Sequence, residues 1–459
     1  MTFSLDRSPR TALFSLAVLS SLAAAPARAD DGDGSPKLTI DGSTRVRFEA
    51  LDGQFRPNTA EKDVFVSFRT TVAAQLDLGP VAFGGEVVDA RGYAQDDRSS
   101  VRTSEINALE PVQAYVALKG HDMIAAGDHG TLTAGRFSLD LGSQRLVSRT
   151  DFPNTVTSYL GGLVDWSDKN KNRLVAFWTH PFSALPDDVD GIFDNDVELD
   201  RAGKNLAFFG AWGSAPKAFG KIGVEAYVYR LAENDVATRQ TRNRHLVTFG
   251  SRIRQAPAKG KFDFEVEGAL QRGQVRGSTS AADLRDLDVR AGFGHAEAGW
   301  TFTSSWAPRV SAVFDYASGD SKDPDSYGRF DTLYGSRRGD YGPLALFGPV
   351  GRANLISPGV RLEAKPSKRF DMMTMVRGLW LADATDSFAS TSVRDASGAS
   401  GTYAGTQVEV RLRRWLLPQK VRMDVGGAYL AKGRFLKDAP NAPATGDTRY
   451  GFVDLVYNF

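Results

Sequence analysis

Apolar residues recur at every second position along most of the chain, in segments about ten residues long, the length a tilted strand needs to cross an outer membrane. The clearest stretch closes the sequence. Val453, Leu455, Tyr457 and Phe459 share one face, with Phe452, Asp454, Val456 and Asn458 on the other. A final Phe preceded by alternating apolar residues is the form of a strand presented for outer-membrane insertion; an ordinary soluble edge strand is the competing reading. Elsewhere one face carries charge: Arg45, Arg47 and Glu49 oppose Val46 and Phe48; Lys261, Asp263, Glu265 and Glu267 oppose Phe262, Phe264 and Val266; Gln407, Glu409, Arg411 and Arg413 oppose Val408, Val410 and Leu412. In a soluble sandwich the charged face would meet water outside. In a membrane barrel the apolar face meets lipid and the charged face lines a wet lumen.

Connection lengths separate these readings. The pattern predicts strands at 38–50, 63–76, 80–91, 110–119, 130–137, 158–167, 172–180, 204–214, 220–232, 244–256, 260–273, 287–303, 307–318, 355–366, 369–382, 404–416, 420–434 and 447–459. Connections after odd strands are long, the longest being 319–354; those after even strands are mostly short, and several carry proline (Pro216, Pro257, Pro308, Pro366, Pro418) near a basic residue. A missing N–H costs nothing in a turn but breaks a ladder inside a strand. The expected fold is therefore all-β: a transmembrane antiparallel β-barrel of about 18 strands, with long extracellular loops and short periplasmic turns. The 36-residue stretch 319–354 is the candidate for a constriction in the lumen or a lid over it, with a plain surface loop as the alternative.

Residues 1–29 read as a signal peptide: Arg7 and Arg10 precede an apolar stretch from Thr11 to Ala25, and Ala27-Arg28-Ala29 offers a cleavage site. The barrel domain would then be 30–459. Setting aside Arg7, Arg10, Arg28 and Asp6 moves the formal charge from +1 to about −1, which disfavours a nucleic-acid partner. The chain has no cysteine, so no disulfide framework or thiolate metal site is available. No run of 18 apolar residues follows the signal, which leaves no transmembrane helix. A chain 42% hydrophobic can supply a lipid-facing belt but not also a large solid core, so the interior is expected to be wet.

Arginine outnumbers lysine 40 to 16. Parity places Arg45, Arg47, Arg69, Arg252, Arg361, Arg377, Arg411 and Arg422 inward, with Arg91 and Arg136 in the same role. A permanently charged, forked guanidinium suits a lumen that hands along an anionic chain. Inward acids, among them Glu49, Asp89, Glu363, Glu409 and Asp424, would orient these arginines; the bland reading is a set of structural charge ladders.

Val87-Val88-Asp89-Ala90-Arg91, the run LTAGRFSLDLGSQRLVSR from Leu132 to Arg149, Phe330 to Gly335, Gly426 to Tyr429 and the closing segment from Tyr450 together resemble the alginate export porin family. The resemblance spans the mature chain and implies an 18-stranded outer-membrane barrel whose arginine-rich lumen exports alginate. The family positions it carries over are Asp89, Arg91, Arg136 and Arg145. One departure stands out: exporters of this family resemble gated pores with long loops on both sides, whereas every periplasmic turn here is short.

His121, His129, His180, His245 and His295 lack metal-ligand spacing and read as strand-end or loop residues. The acidic loop 181–203 does not fit an EF-hand, and no nucleophile elbow or phosphate-binding glycine loop occurs. Neither an enzyme, a metal nor a cofactor is expected. The leading reading is an outer-membrane channel exporting an anionic polysaccharide such as alginate; the alternative is an uptake porin for small, anionic solutes. The partners are then the polymer or solute, outer-membrane lipid and lipopolysaccharide, and, for an exporter, periplasmic secretion components that the sequence does not identify.

Overall fold

The computed structural model describes residues 36–459 apart from 237–238, 344–345 and 349; the signal peptide expected at 1–29 lies outside the described residues. Alternation of β-branched and aromatic residues with polar ones drives the chain into eighteen long strands. They are β1 Lys37–Asp52, β2 Lys62–Asp77, β3 Val81–Tyr93, β4 Asn107–His121, β5 His129–Phe137, β6 Tyr159–Ser167, β7 Arg173–Ser183, β8 Leu206–Phe219, β9 Ile222–Glu233, β10 His245–Gln255, β11 Lys261–Arg276, β12 Asp286–Thr301, β13 Arg309–Ala317, β14 Leu355–Ser367, β15 Phe370–Trp380, β16 Tyr403–Leu417, β17 Val421–Lys432 and β18 Thr448–Asn458. Each pairs antiparallel with the next, and β18 returns to β1 through a register running from Ser43 opposite Asn458 to Asp52 opposite Arg449. Closure pairs the backbone polar groups of both end strands, the condition for a sheet that stands in lipid. Among the described residues three short helices lie in the connections: α1 Val189–Asp194, α2 Arg338–Tyr341 and α3 Arg434–Asp438.

The outer wall carries the expected apolar belt, with Val46, Phe48, Val72, Phe249, Val266, Phe314, Val360, Val410 and Val453 exposed along it. Aromatic residues mark both rims. Phe219, Phe262, Trp300, Trp306, Tyr457 and Phe459 cluster at the end bearing the short turns, and Tyr93, Tyr316, Tyr403 and Tyr429 at the other. Two such girdles around an apolar band are what a bilayer selects.

Two of the five prolines expected in turns lie in strands. Pro216 is inside β8, which runs on to Phe219, and Pro366 is inside β14. Both sit where the pairing register shifts, opposite Gly223 and before Ser367 respectively, so the absent N–H falls in a bulge. His295 is also differently placed from the expectation: it is buried in the middle of β12, 2.7 Å from Asp315 of β13.

The interior is not simply wet. Long connections fold inward and pack into two apolar clusters. One gathers Phe55, Ile106, Tyr341, Phe347, Phe388, Phe435 and their neighbours near the extracellular ends of β16–β18 and β1. The other seats loop residues Leu139, Leu141, Leu146 and Val147 against an inner wall of Tyr159, Phe177, Phe208 and Tyr229 from β6–β9. The sequence reading assigned apolar residues to the lipid belt alone. The loops supply a second set that fills the bore from the extracellular side.

Candidate functional site

Two loops build a constriction inside the barrel. The connection 138–158, after β5, crosses from the aromatic wall to the arginines of β1 and β2. Arg45 donates to the carbonyls of Asp151, Phe152 and Pro153 at 2.9–3.1 Å, Arg69 to those of Asp151 and Pro153, and Arg47 to that of Phe152 at 2.9 Å. Arg47 also forks onto Asp454 of β18 through two 2.7 Å bonds and lies 4.0 Å over the Phe152 ring. Three guanidinium groups thus satisfy a turn of backbone carbonyls that would otherwise be buried without donors.

The second loop, 318–354, joins the first edge to edge. Ser148 N–H donates to the Tyr334 carbonyl at 3.0 Å, Tyr334 N–H to the Leu146 carbonyl at 3.1 Å, and Ser336 N–H to the Gln144 carbonyl at 2.9 Å. Gly335 permits this approach, because a Cβ there would fall well inside contact distance of the Arg145 carbonyl. The loop then forms α2 in the bore. Its Asp340 receives both arms of Arg145 at 2.9 and 3.0 Å, and Arg352 as well. Arg145 reaches on to Glu265 and Glu267 of β11 at 2.5 and 2.6 Å. Arg377 of β15 bonds the Asp340 carbonyl and Ser357, and Arg338 bonds Glu409 of β16 at 2.6 Å. Burial by itself would raise the Asp340 carboxyl, but Arg145 and Arg352 outweigh it and hold the group well below the usual carboxylate range. Beside the first loop, burial and the Glu49 charge push the Glu105 carboxyl up to about 8; Glu105 accepts from the Asn154 N–H at 3.3 Å.

The residues expected in the pathway therefore separate. Arg47, Arg145 and Arg377 are buried and bind the two loops to the wall, and Arg69 assists from β2. Arg361 and Arg411 remain on the inner wall beside the loops. With Arg413 and Arg422 they form a row on β14, β16 and β17 whose acid contacts, to Glu297, Asp371 and Asp424, are long, 3.3–3.6 Å, while Arg361 also donates to the Gly339 carbonyl of α2 at 3.0 Å. Asp89 and Arg91 pair with each other at 2.9 Å but share the outward face of β3 with Phe83 and Val87, opposite Thr70 and Phe68. The parity reading placed them inward because it took charge as the mark of the lumen. The inner face of β3 is instead Ala82, Gly84, Glu86, Val88, Ala90 and Gly92, where Phe65 and Ile106 fill the space at Gly92, Tyr115 that at Gly84, and Glu86 binds Arg149 of the first loop. Arg136 lies at the outer rim, wrapped by Glu110, Asp200 and the Phe182 ring beneath the 184–205 connection.

Sequence reasoning missed the first loop as a constriction, although four apolar residues in a nine-residue stretch of loop, Leu139 to Val147, were a legible sign of packing. It also missed Asp340 and Arg352, whose meeting with Arg145 depends on contacts across nearly two hundred residues. Among the described residues no cluster of His, Asp or Glu has the arrangement of a metal site.

Chemically the bore offers two kinds of guanidinium. Those at the loops turn their terminal nitrogens onto loop carbonyls and acids and act as fasteners. In the β14–β17 row Arg411, Arg413 and Arg422 meet their acids only at 3.3–3.4 Å and are partly exposed, Arg413 and Arg422 most of all.

The architecture has known counterparts. Solved Pseudomonas aeruginosa structures superpose over 92% of this chain: OccK9 (OpdG) with TM-score 0.57 at 12% identity and 98% of its own chain covered, and OpdQ with 0.56 at 12% identity and 97% covered. OccK2 (OpdF), solved in complex with glucuronate, gives 0.55 at 11% identity with 98% covered. At these identities the likeness establishes the fold. No curated protein matches the sequence. The alginate export family model matches residues 37–449, nearly all of the barrel. The chain is an outer-membrane β-barrel channel and belongs to the alginate export family.

Proposed function

We propose that this barrel carries an anionic polysaccharide of the alginate type outward across the outer membrane. The observation that carries the reading is the row Arg361, Arg411, Arg413 and Arg422, with acid partners at 3.3–3.6 Å rather than in forked pairs. A carboxylate on every sugar of a polyuronate can step between such groups, because no single site binds it tightly enough to hold it. Arg47, Arg69, Arg145 and Arg377 act by positioning the loops that set the width of the passage. The family match supports the polymer and the outward direction. Periplasmic secretion components would feed the channel, and lipopolysaccharide would surround its outer rim. Nothing in the reading calls for catalysis.

The packed loops and short periplasmic turns favour a second reading, uptake of small anionic solutes. A superposing barrel was solved in complex with glucuronate, a sugar acid of that size. The two readings part in cells lacking the chain. Export predicts polyuronate retained in the periplasm, restored to the medium by the wild-type chain but poorly by the double variant Arg361→Gln, Arg411→Gln. Normal polymer release together with lost growth on a sugar acid would overturn export in favour of uptake.

A further inference from the structure

Most deeply buried arginines of the bore have an acid: Arg47 has Asp454, Arg145 and Arg352 share Asp340, and Arg377 meets Asp315. Three arginines in the extracellular loops, the half-buried Arg56 and Arg337 and the exposed Arg102, have none among the described residues. Arg56, between β1 and β2, donates to the carbonyls of Leu346 and Gly348 at 3.0 and 2.9 Å. Arg102, between β3 and β4, donates to those of Ser99 and Val101. Arg337, just before α2, donates to the Ser390 hydroxyl at 2.9 Å. Among the described residues none of the three forms a salt bridge. Burial, together with the like charges of Arg337 and Arg102, drives the Arg56 guanidinium down to about 9.

Arg56 and Arg102, with Asn58, Thr59, Ser390 and Asn441, line a cavity of about 470 Å3. A second cavity of about 240 Å3 lies beside it, sharing Ser390 and lined by Arg337. The volume is that of a small-ligand site. Hydroxyl and amide groups of both hydrogen-bonding kinds line the larger cavity together with two guanidinium groups that have no acid partner among the described residues. Sulfate-like ions would leave the hydroxyl wall unused, and a neutral sugar would leave the guanidinium groups unpaired.

We propose that the extracellular mouth contains a binding site for a single carboxylate-bearing sugar, with Arg56 and Arg102 holding the carboxylate, Ser390 and Asn441 the hydroxyls, and Arg337 fixing the Ser390 hydroxyl from the adjoining cavity. The site is separate from the β14–β17 row, and its assignment to a sugar acid rests on the functional reading above. It acts as an outer station, where a sugar acid or the leading end of a polyuronate pauses before release or after capture.

Titration calorimetry on the purified full-length barrel in detergent tests it, with glucuronate, glucose and a uronate oligomer as probes. Saturable binding of glucuronate without binding of glucose is expected, and Arg102→Gln or Arg337→Gln should each weaken it about tenfold, or about 1.4 kcal/mol. Arg102 touches only neighbouring carbonyls, so its variant keeps the test valid even if Arg337→Gln fails to fold. Absence of glucuronate binding, equal binding of glucose, or affinity unchanged in folded Arg102→Gln would overturn the site. Oligomer binding that persists at full strength in the variants would assign the polymer to the wall row and remove it from this site. Failure here is distinct from failure of the export reading: a barrel that binds glucuronate but leaves polymer release untouched keeps the site and loses the export role.

Discussion

Asp340 is the residue on which the constriction turns. It is the shared counter-ion of Arg145 and Arg352, and its backbone carbonyl receives Arg377. Asp340→Asn keeps the shape and removes the charge, leaving two buried guanidinium groups short of a partner, a defect that costs about 3–5 kcal/mol when a buried pair is broken. A lower thermal unfolding temperature and a larger, noisier single-channel conductance are expected; wild-type values for both would contradict the assignment. The pH dependence has a definite sign. The Asp340 carboxyl is depressed in the folded chain, so its contribution is present above the ordinary carboxylate range and is lost only as pH falls below it. The clasp should therefore be indifferent to pH between neutrality and mild acid. Residue orientation was the least legible feature in the sequence. Asp89 and Arg91 show why: alternation gives two faces but not which is inner, and on β3 both faces carry charge, Asp89 and Arg91 on one and Glu86 among Ala82, Gly84, Val88, Ala90 and Gly92 on the other.

At the scale of elements the strands were plain and the loops were not. All eighteen strands were legible because each must present an unbroken apolar face to lipid, which imposes a period of two that nothing else in the chain imitates. The 318–354 loop was recognisable as a candidate constriction from its length. Its partner, 138–158, was not, because the edge contact between Val147 and Tyr334 joins segments that share no local pattern. That contact offers an element-level test. Gly335→Val places a side chain against the Arg145 carbonyl and should part the two loops without touching the barrel wall. Faster protease cleavage within 138–158 and 318–354, with an unaltered barrel shift on unheated gels, is the expected result. Loops as resistant as those of the wild type would show that the edge contact does not hold them.

The whole molecule is a closed wall with an interior divided by chemistry. One side, β6–β9, is aromatic and receives a loop; the other, from β10 round to β1, is charged and carries both the fasteners and the open arginine row. Buried ion networks of this kind contribute modestly to net stability, since desolvation offsets much of their attraction. Their value lies in fixing loop positions in a bore that water would otherwise occupy. The absence of cysteine leaves the chain free for single-site labelling of either loop. The most direct test of the central claim, a polyanion path along Arg361, Arg411, Arg413 and Arg422, is the reversal potential of the purified barrel in a planar bilayer under a salt gradient, followed by oligomeric alginate on one side. Anion selectivity with block that rises with oligomer concentration, and that weakens in Arg361→Gln, Arg411→Gln, is the result expected. Cation selectivity, or current indifferent to the oligomer, would contradict the account.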